Sequence, residues 1–460
     1  MKILVLLLTL FPSVAALGQD SWNVSKLCLW NDTSLVPENS RGQRYNDTWG
    51  FTVNGREYAA IGSTIGVHVI DVNTCKQVAF HPGKHRGEVI HRDYKTYRNY
   101  LYAVCDQGES SLQVFNLSYL PDSMPLVYES TLMELITSHN IFIDTAKGSL
   151  YTCSAMSMFG HNYMRRYSLA NPELPKLTHV FDFGAPVHDV FVRNDTAWCS
   201  SGMYGLQVVD FNDSSGYRRI AELTSYVFQG YNHSSWINDK GIAVMADETH
   251  GLPIKVLDVR NQENLRTLST FMPREDSTCI PHNPFLLGDY ALISYYQDGF
   301  QIYDLSDPVH PRRVGYYDTY PGDNRKSFSG AWGCYPYLPS GRILVSDMQS
   351  GLFVFDVSGA IPRPDSGFPI PIIPVPGEWE VFPNPFSENL NIYLPAEDVG
   401  VASYTVYSIT GYVVAQGRFD FSAQTIQPIR LTLPGNLTAG TYLLTLQAGR
   451  QVYKQKITKR

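Results

Sequence analysis

Charged residues are scarce in this 460-residue chain: Asp, Glu, Lys and Arg make up 17% of it, for a net charge of -7 with no long run of either sign. Without a basic stripe the sequence offers no electrostatic footprint for nucleic acid, and none is expected as a partner. Long apolar runs are scarce too. Beyond the N-terminus no segment is long enough to cross a bilayer as a helix, so no transmembrane segment is expected after the leader is removed. Local catalytic signatures are also missing. There is no Gly-x-Ser-x-Gly, no His-Glu-x-x-His, no phosphate loop, no Cys-x-x-Cys and no Asp-x-Asp-x-Asp. A site here must therefore be assembled from distant parts of the chain. Cysteine is limited to seven residues, an odd number that cannot all pair.

Turns and aromatics are plentiful. The chain has 35 Gly, 28 Pro and 13% aromatic residues, which suits many short strands joined by tight turns. Ser350-Gly351-Leu352-Phe353-Val354-Phe355-Asp356-Val357 is the repeating unit: a small turn, alternating apolar residues, then a polar anchor. The same frame recurs with anchors Asp71, Asn116, Ser168, Asp210, Asp258, Asp304 and Asp356, spaced 45, 52, 42, 48, 46 and 52 residues apart. A period of roughly 40 to 50 residues made only of short strands is the mark of a β-propeller. The expected fold is all-β: a seven-bladed propeller over residues 19–359, then a Pro-rich linker over 360–379 and a small β-sandwich over 380–460. Lys26 to Thr33 reads as a strand that would complete the seventh blade and leave no open edge.

Met1 to Gly18 has one Lys, an apolar core from Ile3 to Phe11 and small residues at its end, the pattern of a secretory signal peptide. An exported chain can carry disulfides. Cys28 with Cys75 and Cys279 with Cys334 are the expected pairs. Cys105, Cys153 and Cys199 occupy one repeat position in successive units and read as small buried residues.

Counting back 22 to 29 residues from each anchor reaches the start of an inner strand, occupied by Trp49, His91, His139, His188, His233, His282 and Trp332. Inner strands line the axis of a propeller, so these seven residues are the candidate ligand site at one mouth of the channel. Imidazoles there could hold a transition metal. The simpler expectation is that each His hydrogen-bonds the next blade's backbone, so no cofactor is assigned and no catalytic residue is named. Asp106, Asp247-Glu248, Gln297-Asp298 and Asp347, which follow second strands, are expected to cap turns.

Two resemblances extend this reading. Val381-Phe382-Pro383-Asn384-Pro385-Phe386-Ser387, Asn389-Leu390-Asn391-Ile392, Leu437-Thr438-Ala439-Gly440-Thr441-Tyr442 and the Lys-rich end Lys454 to Arg460 resemble the C-terminal sorting domain of the type IX secretion system. That resemblance implies the secretion machinery as a partner and a destination on the outer cell surface or outside the cell. The anchor strands resemble the LVIVD repeats of the choice-of-anchor B family. This second resemblance implies a propeller on a surface-attached protein and no established chemistry. Together they imply an exported binding or scaffold module for an unknown surface ligand or protein. The alternative is a surface or secreted hydrolase, possibly metal-dependent, that uses the His belt.

Overall fold

The computed structural model describes residues 20–182, 184–212, 216–274, 278–320, 322, 327–362, 380–382, 386, 389–393, 400–408, 411–421, 429–434, 437–448 and 451–459. The expected signal peptide and the expected linker beyond residue 362 lie outside the described residues. The described chain is all-β, with no helix.

From Ser21 to Asp356 the strands form separate antiparallel sheets, mostly of four consecutive strands each. The first comprises Tyr45–Val53, Arg56–Ser63, Gly66–Asp71 and Lys76–Pro82. Six further sheets follow the same plan, with inner strands at Arg92–Tyr97, Asn140–Asp144, Asp189–Arg193, Asn232–Ile237, Asn283–Leu287 and Ala331–Tyr335. The anchor strand is third in each sheet. Its polar residue does the same work every time: a side-chain oxygen accepts the amide two residues on. Asp71 takes Asn73, Asn116 takes Ser118, Ser168 takes Ala170, Asp210 takes Asn212, Asp258 takes Arg260, Asp304 takes Ser306 and Asp356 takes Ser358, at 2.8 to 3.3 Å. These Asx and ST turns end the strand and send the chain to the outer edge, which is why Asn and Ser can stand in for Asp.

The seventh sheet is completed by the chain's own beginning. Ser25–Trp30 runs antiparallel to Gly351–Asp356, with Ser25 opposite Asp356 and Trp30 opposite Leu352. Cys28 in that strand is bonded to Cys75, just past the anchor strand of the first sheet, so the joint between last and first sheets is covalent. Ahead of it, the short strand Ser21–Trp22 adds a fifth member to the sixth sheet, a pairing too brief to leave a sequence pattern.

Two expectations need correction. Cys334 remains a thiol and no bridge joins it to Cys279. Its sulfur lies in the core between sheets, directed at the carbonyls of Leu292 and Asn283 at 3.7 and 3.9 Å. The linker also starts later than residue 360. Ala360 and Ile361 are buried with Phe300, Phe355 and Val357, and their amides close a turn on the Val357 carbonyl. Cys105, Cys153 and Cys199 are buried thiols, as expected.

The C-terminal segment has two sheets. Glu380–Phe382, Asn389–Tyr393 and Ile429–Thr432 form one, and Gly400–Ser408, Val413–Phe421, Gly440–Ala448 and Gln451–Lys459 form the other. Val381, Leu390, Ile392 and Leu431 of the first share a core with Ala402, Val406, Leu444, Leu446 and Ile457 of the second.

Candidate functional site

Each inner strand of the Tyr45–Tyr335 region packs beside the next, and Ala331–Tyr335 packs beside Tyr45–Val53. Whatever stands at one level of these strands therefore meets around a common axis. At their starts, consecutive imidazoles are close: His91 to His139 at 4.0 Å between ring centroids, His139 to His188 at 4.1 Å, His188 to His233 at 4.2 Å and His233 to His282 at 4.3 Å. Trp332 closes the circuit, 4.8 Å from His282 and 5.5 Å from His91. The structure thus brings six of the seven predicted residues into one ring.

Trp49 is the exception. In its strand Tyr45 pairs with Ser63 and Thr48 with Ile61, so a bulge leaves Asn46 and Asp47 without partners across the ladder. His233 and Trp332 are the skipped residues of the corresponding bulges in their own strands. Asn46 and Asp47 are the skipped residues of the first sheet. Trp49 lies further along the axis, packed edge-on against Tyr335 at 4.8 Å, with its indole NH donated to Thr96 Oγ1 at 3.0 Å.

The ring separates two cavities. On one side is a small enclosed space of about 40 Å³ lined by the histidines and by Asp47, Trp49, Asp93, Lys95 and Asp189. On the other is a wider mouth of about 360 Å³, lined by the same histidines with Asp106, Gln107, Glu248, Tyr296, Phe328 and Arg41.

Below the ring, Asp93 is the hub. It accepts Lys95 Nζ at 2.6 Å, the Tyr94 amide at 2.7 Å and the Ile141 amide at 2.8 Å, and so links the second sheet to the third. Lys95 Nζ also sits over the Trp49 ring at 4.5 Å, a cation–π contact in a dry setting. Burial, with the Asp93 charge second, raises Asp47 well above the carboxylate range and Asp189 to about 7. Burial alone would lower Lys95, but Asp93 and Asp47 outweigh it and hold it raised. The enclosed space is a charge-compensated plug.

At the ring, burial pushes His91, His188 and His233 well below the usual imidazole value, with neighbouring imidazoles adding to the effect, and pushes His282 down to about 3. These rings are neutral at physiological pH, with one donor and one acceptor nitrogen each. Two follow the bland expectation of bonding to the next sheet: His188 Nδ1 donates to the His233 carbonyl at 3.2 Å and His282 Nδ1 to the Trp332 carbonyl at 2.6 Å. His139 departs from it, since its Nδ1 meets Asp106 Oδ2 at 2.9 Å. His91 Nδ1 and His233 Nδ1 are buried with no hydrogen-bond partner.

The residues missed from sequence are Asp106 and Glu248, each the first residue past the second strand of its sheet. Of their fellows in that set, Asp347 does cap a turn, accepting the Gln349 and Ser350 amides, whereas Asp247 is a buried acceptor for the Gly230 amide at 2.7 Å and Lys255 Nζ at 2.9 Å. Asp106 and Glu248 instead face the ring, and Tyr296 donates its hydroxyl to Glu248 Oε1 at 2.6 Å. The usable signal was position in the repeat: two acids at one turn site, in sheets whose inner strands begin with His.

Residues 380–460 match the family model of the secretion system C-terminal sorting domain. The protein is therefore exported, bound for the outer surface or the extracellular space. No curated protein matches the chain. Among solved structures, the Swd1 β-propeller domain of Myceliophteria thermophila aligns over 68% of this chain and 97% of its own, with a TM-score of 0.50 at 11% identity. PorZ of Porphyromonas gingivalis, a bacterial surface component of the type IX secretion system, aligns over 90% of this chain and 59% of its own, with a TM-score of 0.46 at 11% identity. The first likeness shows a propeller-like fold. No helix of the described residues is long and apolar enough to cross a membrane.

Proposed function

We propose that this protein is a surface-displayed binding module: a seven-bladed propeller of the LVIVD type, closed by its N-terminal strand and delivered by a C-terminal β-sandwich. Two facts support the closed ring: the last inner strand packs on the first, and the Cys28–Cys75 bond spans that joint. The shared core of the two C-terminal sheets supports the sandwich.

One observation carries the binding role. A ring of densely packed imidazoles floors an open cavity of about 360 Å³ whose walls hold an arginine, two carboxylates and aromatic rings. Concave mouths with a few converging polar groups are where propellers and other folds take small ligands.

A thermal-shift panel of simple sugars, carboxylates and phosphates tests this on the exported protein after dialysis against a chelator. A ligand present at about 100 times its Kd adds roughly 2.7 kcal/mol to wild type. The gain should vanish in His139→Ala/His188→Ala. Equal stabilisation of wild type and variant would place binding elsewhere and contradict the assignment. For export, a chain lacking residues 381–460 should stop in the periplasm, and undiminished surface display would refute that role.

A further inference from the structure

We propose that the mouth of the histidine ring is a transition-metal centre with two three-donor sets, His91/His139/Asp106 and His188/His233/Glu248, each taking one divalent first-row ion such as zinc or iron. This rests on the mouth being the ligand seat and names the chemistry of what it holds.

Geometry is the first support. Within each set one donor atom from every residue lies within 4.8 Å of the others. Donors bound to a single ion at about 2.0–2.2 Å stand roughly 3–4 Å apart, so modest side-chain rotations bring either set to bonding distance. In the first set His139 Nδ1 and Asp106 Oδ2 are 2.9 Å apart, and the ion would take the place of the proton between them. Two imidazoles and a carboxylate with positions left open suit first-row transition ions, while a calcium site would need oxygen donors throughout.

The surroundings of the donors are the second support. A carbonyl can only accept, so the bond from His188 Nδ1 to the His233 carbonyl fixes the proton on Nδ1 and leaves Nε2 as a lone pair. The Tyr296 hydroxyl orients the Glu248 carboxylate in the same way. Outer partners of this kind are what metal ligands require.

The third support is the unsatisfied state of buried donors. His91 and His233 are more than nine-tenths buried, yet their Nδ1 atoms have no hydrogen-bond partner, nor does Asp106 Oδ1. Leaving such a group unsatisfied is a net cost to the folded state. Three of the six proposed ligands are in this state. A dication in each set would supply the missing interactions and offset that set's carboxylate charge.

The test uses the full exported chain, stripped with chelator, reloaded with zinc or cobalt(II) and freed of excess metal by dialysis. Elemental analysis should find about two equivalents of zinc in wild type, and about one in Asp106→Asn/His139→Gln and in His188→Gln/His233→Gln. Cobalt-loaded wild type should show ligand-field absorption in the visible, which needs no variant to fold. Retention below about a tenth of an equivalent without that absorption overturns the proposal. One equivalent in wild type that falls to none in both variants means a single shared ion and overturns the two-set assignment. A sugar or anion that still binds through the ring in metal-free protein leaves the binding role standing, so the two failures can be told apart.

Discussion

Single residues in this protein act through burial more than through charge number. Lys95 is surrounded by Asp93, Asp47 and the Trp49 face, and Asp93 also accepts the Tyr94 and Ile141 amides. Lys95→Met would leave buried carboxylates uncompensated, and a loss of about 3–5 kcal/mol is expected from urea denaturation. A loss under about 1 kcal/mol would mean that the cluster is already neutral without the lysine. The ring makes a pH prediction whose sign follows from its depressed imidazoles. Folded His282 titrates near 3 against an ordinary value of 6.5, so between those limits the unfolded chain holds more protons. The histidine contribution is complete above pH 6.5 and is lost on acidification, at about 1.4 kcal/mol per pH unit for each such group. Asp189 has the opposite sign, since its folded value is raised to about 7 and its contribution fades as pH rises through that point. The urea midpoint should fall between pH 6 and pH 4, less steeply in His188→Gln. Parallel falls would contradict the neutral ring.

At the scale of the strand and its turns, the repeat is legible because one hydrogen bond fixes it. A side-chain oxygen two residues before an amide is needed at the end of every third strand, and the apolar alternation before it marks the strand that packs between neighbouring sheets. Asp71→Asn should thus stay within about 0.5 kcal/mol of wild type, whereas Asp71→Ala, which frees the Asn73 and Thr74 amides, should lose about 1–2 kcal/mol in urea midpoint. Equal losses would show that charge, not acceptance, is what the position requires. The candidate site was legible only where the inner strand begins without an extra residue or with one. In the first sheet a bulge skips two residues and moves Trp49 off the ring, because strand-start distances from the anchor absorb insertions that a count cannot see. Asp106 and Glu248 were hidden for another reason: an acid after a strand usually caps a turn, as Asp347 does, whereas these two line the mouth.

For the molecule as a whole, the joint between the last and first sheets decides whether the ring of side chains holds together. The N-terminal strand supplies the outer edge of the last sheet, and the Cys28–Cys75 bond spans 47 residues across the joint. A cross-link closing a loop of that size contributes on the order of 4 kcal/mol. Cys28→Ser/Cys75→Ser should therefore lower the thermal midpoint markedly, with the ring's metal or ligand uptake falling in parallel as the joint opens. Both pairs were expected from sequence, but only Cys28 and Cys75 lie at the joint between the last and first sheets, whereas Cys279 and Cys334 lie in separate core environments. The most direct measurement of the central claim is anomalous diffraction at the zinc edge from crystals of the metal-loaded propeller. The account predicts peaks in the mouth within about 2.3 Å of the ring nitrogens and of the Asp106 and Glu248 carboxylates. A map that shows the five histidines in place with no peak among them, or that shows them spread apart around an open bore, would contradict it.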